Sequence, residues 1–155
     1  MGTNATALNH VSIVARDLAE STRFYVEVLG LEAVATPDFG FPVQWLAVGG
    51  QQVHLFERPD AAPVSAHLAL EVDDVVAVYE RARELGALDR ETFGYAAAEL
   101  PGGEAQLYVR DPAGNLVEID HPDGAAAREE IDEMILLAER RPQPDGPVPR
   151  LPLSR

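Results

Sequence analysis

The sequence predicts an α+β fold built from two tandem βαβββ modules, followed by a C-terminal helix and tail. Three observations carry this expectation. Residues 8–15 alternate apolar and polar positions, give way to helical spacing, and are followed by three more strand-like segments. The same succession restarts at residue 65. Landmark residues also recur: His10 stands seven residues before Asp17 and His67 seven before Asp74, with a helix-stopping glycine 20 and 19 residues after the two histidines. The expected layout is an N-terminal tail (1–7), a first module (8–57), a linker (58–64), a second module (65–121) and a terminal segment (122–155). Two such modules can close their mixed sheets into a curved cleft, with the helices outside.

Each element has a local reason. In the first module, LNHVSIVA at 8–15 is a strand, and Asp17 with Glu20 three residues on has the form of a capping box. Leu18, Ser21, Tyr25, Val28 and Leu29 follow helical spacing, and Gly30 stops the helix. Strands are expected at 31–36, 42–48 and 51–57, the last two joined by a hairpin turn at Gly49-Gly50. RPDAAPV at 58–64 reads as a linker. In the second module, SAHLALEV at 65–72 is a strand, and Asp73 or Asp74 caps a helix carrying Val75, Val78, Tyr79, Ala82 and Leu85 up to Gly86. Strands at 88–93, 104–110 and 115–121 follow, separated by Pro101-Gly102-Gly103 and by Asp111-Pro112-Ala113-Gly114-Asn115. Beyond them, Ile131, Met134, Ile135 and Ala138 predict one amphipathic helix over 125–140. The proline-rich run from Pro142 predicts an extended or disordered arm.

Composition narrows the function classes. A chain of 155 residues that is 46% hydrophobic can bury a core. Its formal charge of −14 and pI near 4.5 disfavour nucleic acid and anionic membranes as partners. With no cysteine, disulfides, thiolate metal sites and cysteine nucleophiles are excluded. Residues 1–7 contain no apolar run of the kind a signal peptide uses, and no stretch approaches the ~20 apolar residues of a membrane span. A cytoplasmic location is therefore expected.

Strand alternation then sorts the ionisable residues. His10 and Ser12 share one face of the first strand, opposite Val11 and Ile13. Gln52, His54 and Phe56 oppose Val53 and Leu55, and His67 and Glu71 oppose Leu68, Leu70 and Val72. Glu118 and Asp120 oppose Val117 and Ile119. Four strands thus pair an aliphatic face with a face bearing ionisable groups. Placing those groups in a cleft unpaired costs several kcal/mol, which a shared cation removes. His10, His54, His67 and Glu118 are accordingly the candidate ligands of one divalent metal ion: zinc, nickel, cobalt, manganese or iron(II). The bland alternative for each residue taken singly is a hydrogen-bonded strand histidine or a solvated edge carboxylate.

The segments NHVSIVARDLAESTRFYVEVLGL, HLALEVDD and DPAGNLVEI together resemble the vicinal oxygen chelate superfamily, which contains glyoxalases, bleomycin-resistance proteins and extradiol dioxygenases. The resemblance covers residues 8–121. It implies paired βαβββ modules with metal ligands on the first and last strand of each, which are the positions of His10, His54, His67 and Glu118. His54 departs from the pattern. Glyoxalase I-like members usually carry Glu there and acyl-CoA epimerase-like members Gln, so the carboxylate base of a strict glyoxalase I is missing.

The resemblance implies bidentate chelation of two adjacent substrate oxygens by the metal. The leading expectation is a lyase or isomerase acting on a small α-oxygenated carbonyl compound, with His54 or Glu118 leaving the metal to carry a proton. Alternatives are an extradiol-type iron(II) dioxygenase and a small-molecule binding or antibiotic-resistance protein. Arg110, Tyr108, Trp45 and Phe56 are candidate substrate contacts; the alternatives for them are a surface arginine and core aromatics. A homodimer is expected, because members of the superfamily often share sites between chains.

Overall fold

In the computed structural model, which describes residues 4–154, the chain forms two sheets covered by helices. The first sheet contains β1 (His10–Ala15), β2 (Glu32–Val34), β3 (Val43–Val48) and β4 (Gln51–Glu57), in the order β1-β4-β3-β2. Its helix is α1 (Leu18–Glu27). The second contains β5 (His67–Glu71), β6 (Ala97–Glu99), β7 (Ala105–Arg110) and β8 (Leu116–His121), with helix α2 (Val75–Glu84). Its order is β5-β8-β7-β6-β9, where β9 (Ile135–Leu136) comes from the C-terminal segment. β1 runs parallel to β4, and β5 parallel to β8, so each module repeats one topology.

The helices begin where their caps dictate. The Asp17 carboxylate accepts the Glu20 amide at 2.8 Å, and Asp74 accepts that of Ala77 at 2.9 Å. Both helices are followed by a glycine in the left-handed region, Gly30 (φ 71°) and Gly86 (φ 66°). Phe24 and Tyr25 of α1, with Val78, Tyr79 and Ala82 of α2, pack on one core formed with Leu46, Val53, Leu55, Leu107, Val109, Val117 and Ile119. Each large side chain fully buried there contributes about 1.5–3 kcal/mol. The two modules are also joined by polar contacts: Tyr25 donates to Asp111 at 3.0 Å, and the Asn115 amide donates to the Val14 carbonyl at 2.7 Å.

Two elements differ from the sequence expectation. Residues 88–93 do not form a strand; a single bridge joins Leu88 to Val109, and the strand lies at 97–99 instead. The cause is Asp89, whose carboxylate accepts the amides of Glu91 and Thr92 and so turns the chain away from extended geometry. The helix expected over 125–140 is interrupted as well. α3 (Gly124–Glu130) ends at Ile131, whose extended backbone (φ −107°, ψ 93°) drives its side chain into the core beside Met134. Strand β9 then pairs with β6 before the short α4 (Leu137–Arg140). The apolar spacing there reflected burial, but burial through a turn. The proline-rich arm lies back on the second module, where Arg150 donates to the Gly102 carbonyl at 2.8 Å and the Ser154 amide to Glu71 at 2.9 Å.

Candidate metal centre

Register places the four candidate ligands on equivalent faces. In the first sheet His10 lies opposite Gln52, Ser12 opposite His54, and His54 opposite Trp45, so His10, His54 and Trp45 share one face. In the second, Ala69 lies opposite Glu118 and Tyr108 opposite Glu118, so His67, Glu118 and Tyr108 share the corresponding face. The other face of each sheet is the aliphatic one under the helices.

The structure brings these residues together as two pairs. His10 and His54 stack with ring centroids 4.2 Å apart, and Trp45 stacks on the far side of His54 at 4.5 Å. His67 Nε2 lies 3.1 Å from Glu118 Oε2. Among the described residues, no group of three or more His, Asp or Glu side chains converges within the chain. His10 and His67 do border one cavity of about 260 Å³ between β1 and β5, but Val11, Val53, Leu68 and Leu70 line much of the rest.

The hydrogen bonds around the imidazoles fix which nitrogens are free. His67 Nδ1 is 2.9 Å from the Ser65 carbonyl, which can only accept, so Nδ1 carries a proton. Nε2 is then left facing the Glu118 carboxylate, an arrangement that requires a proton or a metal cation between them. His10 Nδ1 bonds the Asn9 side-chain oxygen, and His54 Nε2 lies 2.8 Å from Gln52 Oε1, leaving one nitrogen of each ring to act as a base. This is the pattern in which ligand histidines are oriented by partners behind them. Burial, and then the neighbouring His10, lowers the pKa of His54 and keeps its ring neutral. Three imidazoles and a carboxylate therefore fit a divalent first-row metal in donor type and protonation.

Glu118 stands in an acidic and largely buried setting. Burial, and then the adjacent Glu118, pushes Asp120 up to about 7, with Glu104 and Glu71 adding to the effect. Burial and Glu118 likewise raise the Tyr108 phenol well above its ordinary value. One oxygen each of Asp120 and Glu104 is buried without a hydrogen-bond partner. The alternation in β8 already put Asp120 on the face of Glu118; its burial and the approach of Glu104, the residue just before β7, were not legible in sequence.

The expected substrate contacts divide. Trp45, Phe56 and Tyr108 lie on the ligand faces, Trp45 directly against His54 and Tyr108 6.0 Å from the His67 ring. Arg110 is on the same face as Tyr108 but is fully engaged by the chain. It donates to Asp89 (2.7 Å), the Gly114 and Val64 carbonyls (2.9 and 2.6 Å) and Thr92 (2.7 Å). Burial alone would raise Asp89, but the Thr92 amide and Arg110 together hold it below its usual range. Arg110 thus ties the linker to the 88–93 turn. His121 accepts the Asp123 amide at 3.2 Å and takes no part in the site.

Comparison with known proteins adds an independent line. Residues 7–119 match the family model described as Glyoxalase/Bleomycin resistance protein/Dioxygenase superfamily. The chain is 28% identical to "Glyoxylase I 4" of Arabidopsis thaliana, over 92% of this chain and 90% of that protein. It is 30% identical to the uncharacterized protein YwbC of Bacillus subtilis, over 74% of this chain and 96% of that one. Among solved structures, a lactoylglutathione lyase from Agrobacterium tumefaciens is 27% identical with a TM-score of 0.57, covering 77% of this chain and 96% of its own. A putative glyoxalase family protein from Bacillus anthracis, at 22% identity, shares the fold with a TM-score of 0.62, covering 78% of this chain and 98% of its own.

Proposed function

Because the chain belongs to the glyoxalase/bleomycin resistance protein/dioxygenase superfamily, we propose that it is a metal-dependent lyase or isomerase acting on a small α-oxygenated carbonyl compound. The observation that carries this reading is the 3.1 Å approach of His67 Nε2 to Glu118, with His67 Nδ1 already committed to Ser65. Two acceptors held face to face in this way make half of a cation site. His10 and His54, stacked on the equivalent face of the other module, make the other half.

Since the pairs do not meet within one chain, they are proposed to meet across a homodimer, each site taking His10 and His54 from one subunit and His67 and Glu118 from the other. A divalent ion held there would supply Lewis acidity to two adjacent substrate oxygens. The chain's own groups supply the rest. His54, its ring kept neutral by burial, would leave the metal to take a proton from the carbon next to the carbonyl and return it to the neighbouring carbon, in place of the carboxylate base of related enzymes. Tyr108, whose phenol stays protonated, stands opposite Glu118 in the sheet. Trp45 and Phe56 exclude water from the face on which His54 works.

The test is His67→Ala. The variant should lose the divalent metal by elemental analysis, and with it turnover of the glutathione–methylglyoxal hemithioacetal or of any other substrate found active with wild type. Retention of one metal per chain would overturn the reading.

A further inference from the structure

The chain has ten aromatic residues, Phe, Tyr and Trp taken together, and their distribution is unusual. Phe24, Tyr25 and Tyr79 are core residues, whereas the other seven gather beside the two candidate ligand pairs. On the first module Phe39 lies 6.0 Å from Trp45, Phe41 lies 5.8 Å from Phe56, and Trp45 is nearly parallel to His54. On the second, Phe93 lies 4.6 Å from Tyr108 and 6.0 Å from His67, with Tyr95 behind Tyr108. Phe39 and Phe93 are 45% and 42% exposed. Aromatic side chains carry the largest apolar area of any residues, and a fold ordinarily spends them on its core. Here most of them form two open clusters, each in contact with a ligand pair.

From these clusters we infer that the site takes an aromatic substrate, an aryl ring on the first of two carbons that carry adjacent oxygens, as in an aryl α-hydroxy acid, whose α-oxo counterpart binds by the same two oxygens. This rests on the reading that both pairs serve one centre, since the two clusters then become opposite walls of a single pocket. Their geometry suits a flat ring. In the first cluster Trp45 is stacked on His54, inclined by 7°, while in the second Phe93 and Tyr108 stand edge-on to His67 at 81° and 86°. A substrate ring can join either cluster by the same stacked or edge-on contacts, because Phe39 and Phe93 leave ring surface exposed. Charge points the same way. A peptide-like substrate with several carboxylates needs free cations, but Arg110, the arginine on the face of Tyr108, is tied to four groups of the chain.

Trp45 is the single tryptophan of the chain and stacks on a candidate ligand, so its fluorescence reports on the site. The experiment titrates zinc-loaded and zinc-free protein with phenylglyoxylate and with pyruvate, which share their oxygens and charge and differ in ring against methyl. Phenylglyoxylate is expected to bind at least ~10-fold more tightly. Phe56→Ala and Phe93→Ala should each erode that preference several-fold while zinc content stays at the wild-type level. Equal affinities for the two acids with zinc bound would overturn the aromatic inference and leave the metal reading standing. A ring preference that persists in protein unable to bind zinc would support the aromatic pocket and overturn the metal reading instead. If Phe39→Ala and Phe93→Ala weaken self-association in sedimentation and leave the ring preference intact, the clusters are subunit contacts and the inference fails.

Discussion

Truncating Asp111 to alanine is expected to destabilise the protein by about 4 kcal/mol, with no loss of any residue from the candidate metal centre. Asp111 is 4% exposed and accepts four hydrogen bonds. Its Oδ1 takes the amides of Ala113 (2.9 Å) and Asn115 (2.8 Å). Its Oδ2 takes the Asn115 side-chain amide (2.7 Å) and the Tyr25 hydroxyl (3.0 Å). Tyr25 is fully buried on α1, and the Asn115 amide also reaches Val14 on β1, so one carboxylate links the second module to the first. Alanine leaves several buried donors without acceptors at about 1–3 kcal/mol each, and because the donors share one network the total is less than the sum. In a domain of this size that loss lowers Tm by roughly 10 °C. Tyr25→Phe, which removes a donor while Asp111 keeps three others, should cost only about 1 kcal/mol.

The pH dependence of this effect has a definite direction. Burial raises the Asp111 pKa, and the hydrogen bonds from Asn115, Tyr25 and Ala113 only partly offset it. A carboxyl whose pKa is higher in the folded state stabilises the fold fully below its unfolded pKa and loses that contribution as pH rises through the folded value. The penalty of Asp111→Ala should therefore be larger near pH 5 than near pH 8. Urea denaturation followed by Trp45 fluorescence and by circular dichroism measures both quantities. A penalty below 1 kcal/mol, or one that grows with pH, would refute the reasoning.

Three further outcomes are expected. Arg110→Ala should destabilise the fold by about 2–4 kcal/mol, because it strands the nearly buried Asp89 carboxylate, while metal content stays unchanged; calorimetry and elemental analysis together check this. Gly124→Ala should cost about 1–3 kcal/mol in urea denaturation, because a Cβ there would stand 2.8 Å from the Gly103 carbonyl oxygen, an atom fixed in the backbone. His54→Glu, which restores the carboxylate the superfamily often carries, should keep the metal but shift the acid limb of any pH–rate profile downward, because a carboxylate replaces an imidazole as the proton acceptor. An unchanged limb would remove His54 from that role.

How much of this was legible in the sequence depended on whether a feature was local. Caps, stops and hairpins are set by neighbours in the chain, and Asp17, Asp74, Gly30, Gly86 and the Gly49-Gly50 turn all act where the sequence placed them. Which ionisable residues share a strand face was legible because strand alternation is strict and the repeat doubled the signal. What failed depended on contacts distant in sequence. Segment 88–93 has strand-like composition, but Asp89 folds it into a turn and is itself held by Arg110, 21 residues on. Arg110 looked available because nothing local to it reveals Val64 and Thr92 as its partners. Ile131 and Met134 had helical spacing, yet strand β6 offers an unpaired edge that β9 takes up. Phe93, within the misread segment, was missed for the same reason, although it stands edge-on to the His67 ring.

The central claim is that His10 and His54 of one subunit complete a metal site with His67 and Glu118 of the other. It is tested most directly by complementation between two dead variants, His10→Ala/His54→Ala and His67→Ala/Glu118→Ala. Each alone should purify with almost no zinc after loading. Unfolded together in equal amounts and refolded, about half of the dimers are mixed, and each mixed dimer regains one intact site of its two. Zinc should then return to about a quarter of the wild-type content. A mixture that stays as empty as its parents would contradict the shared site, and full zinc in either parent would contradict the ligand set itself.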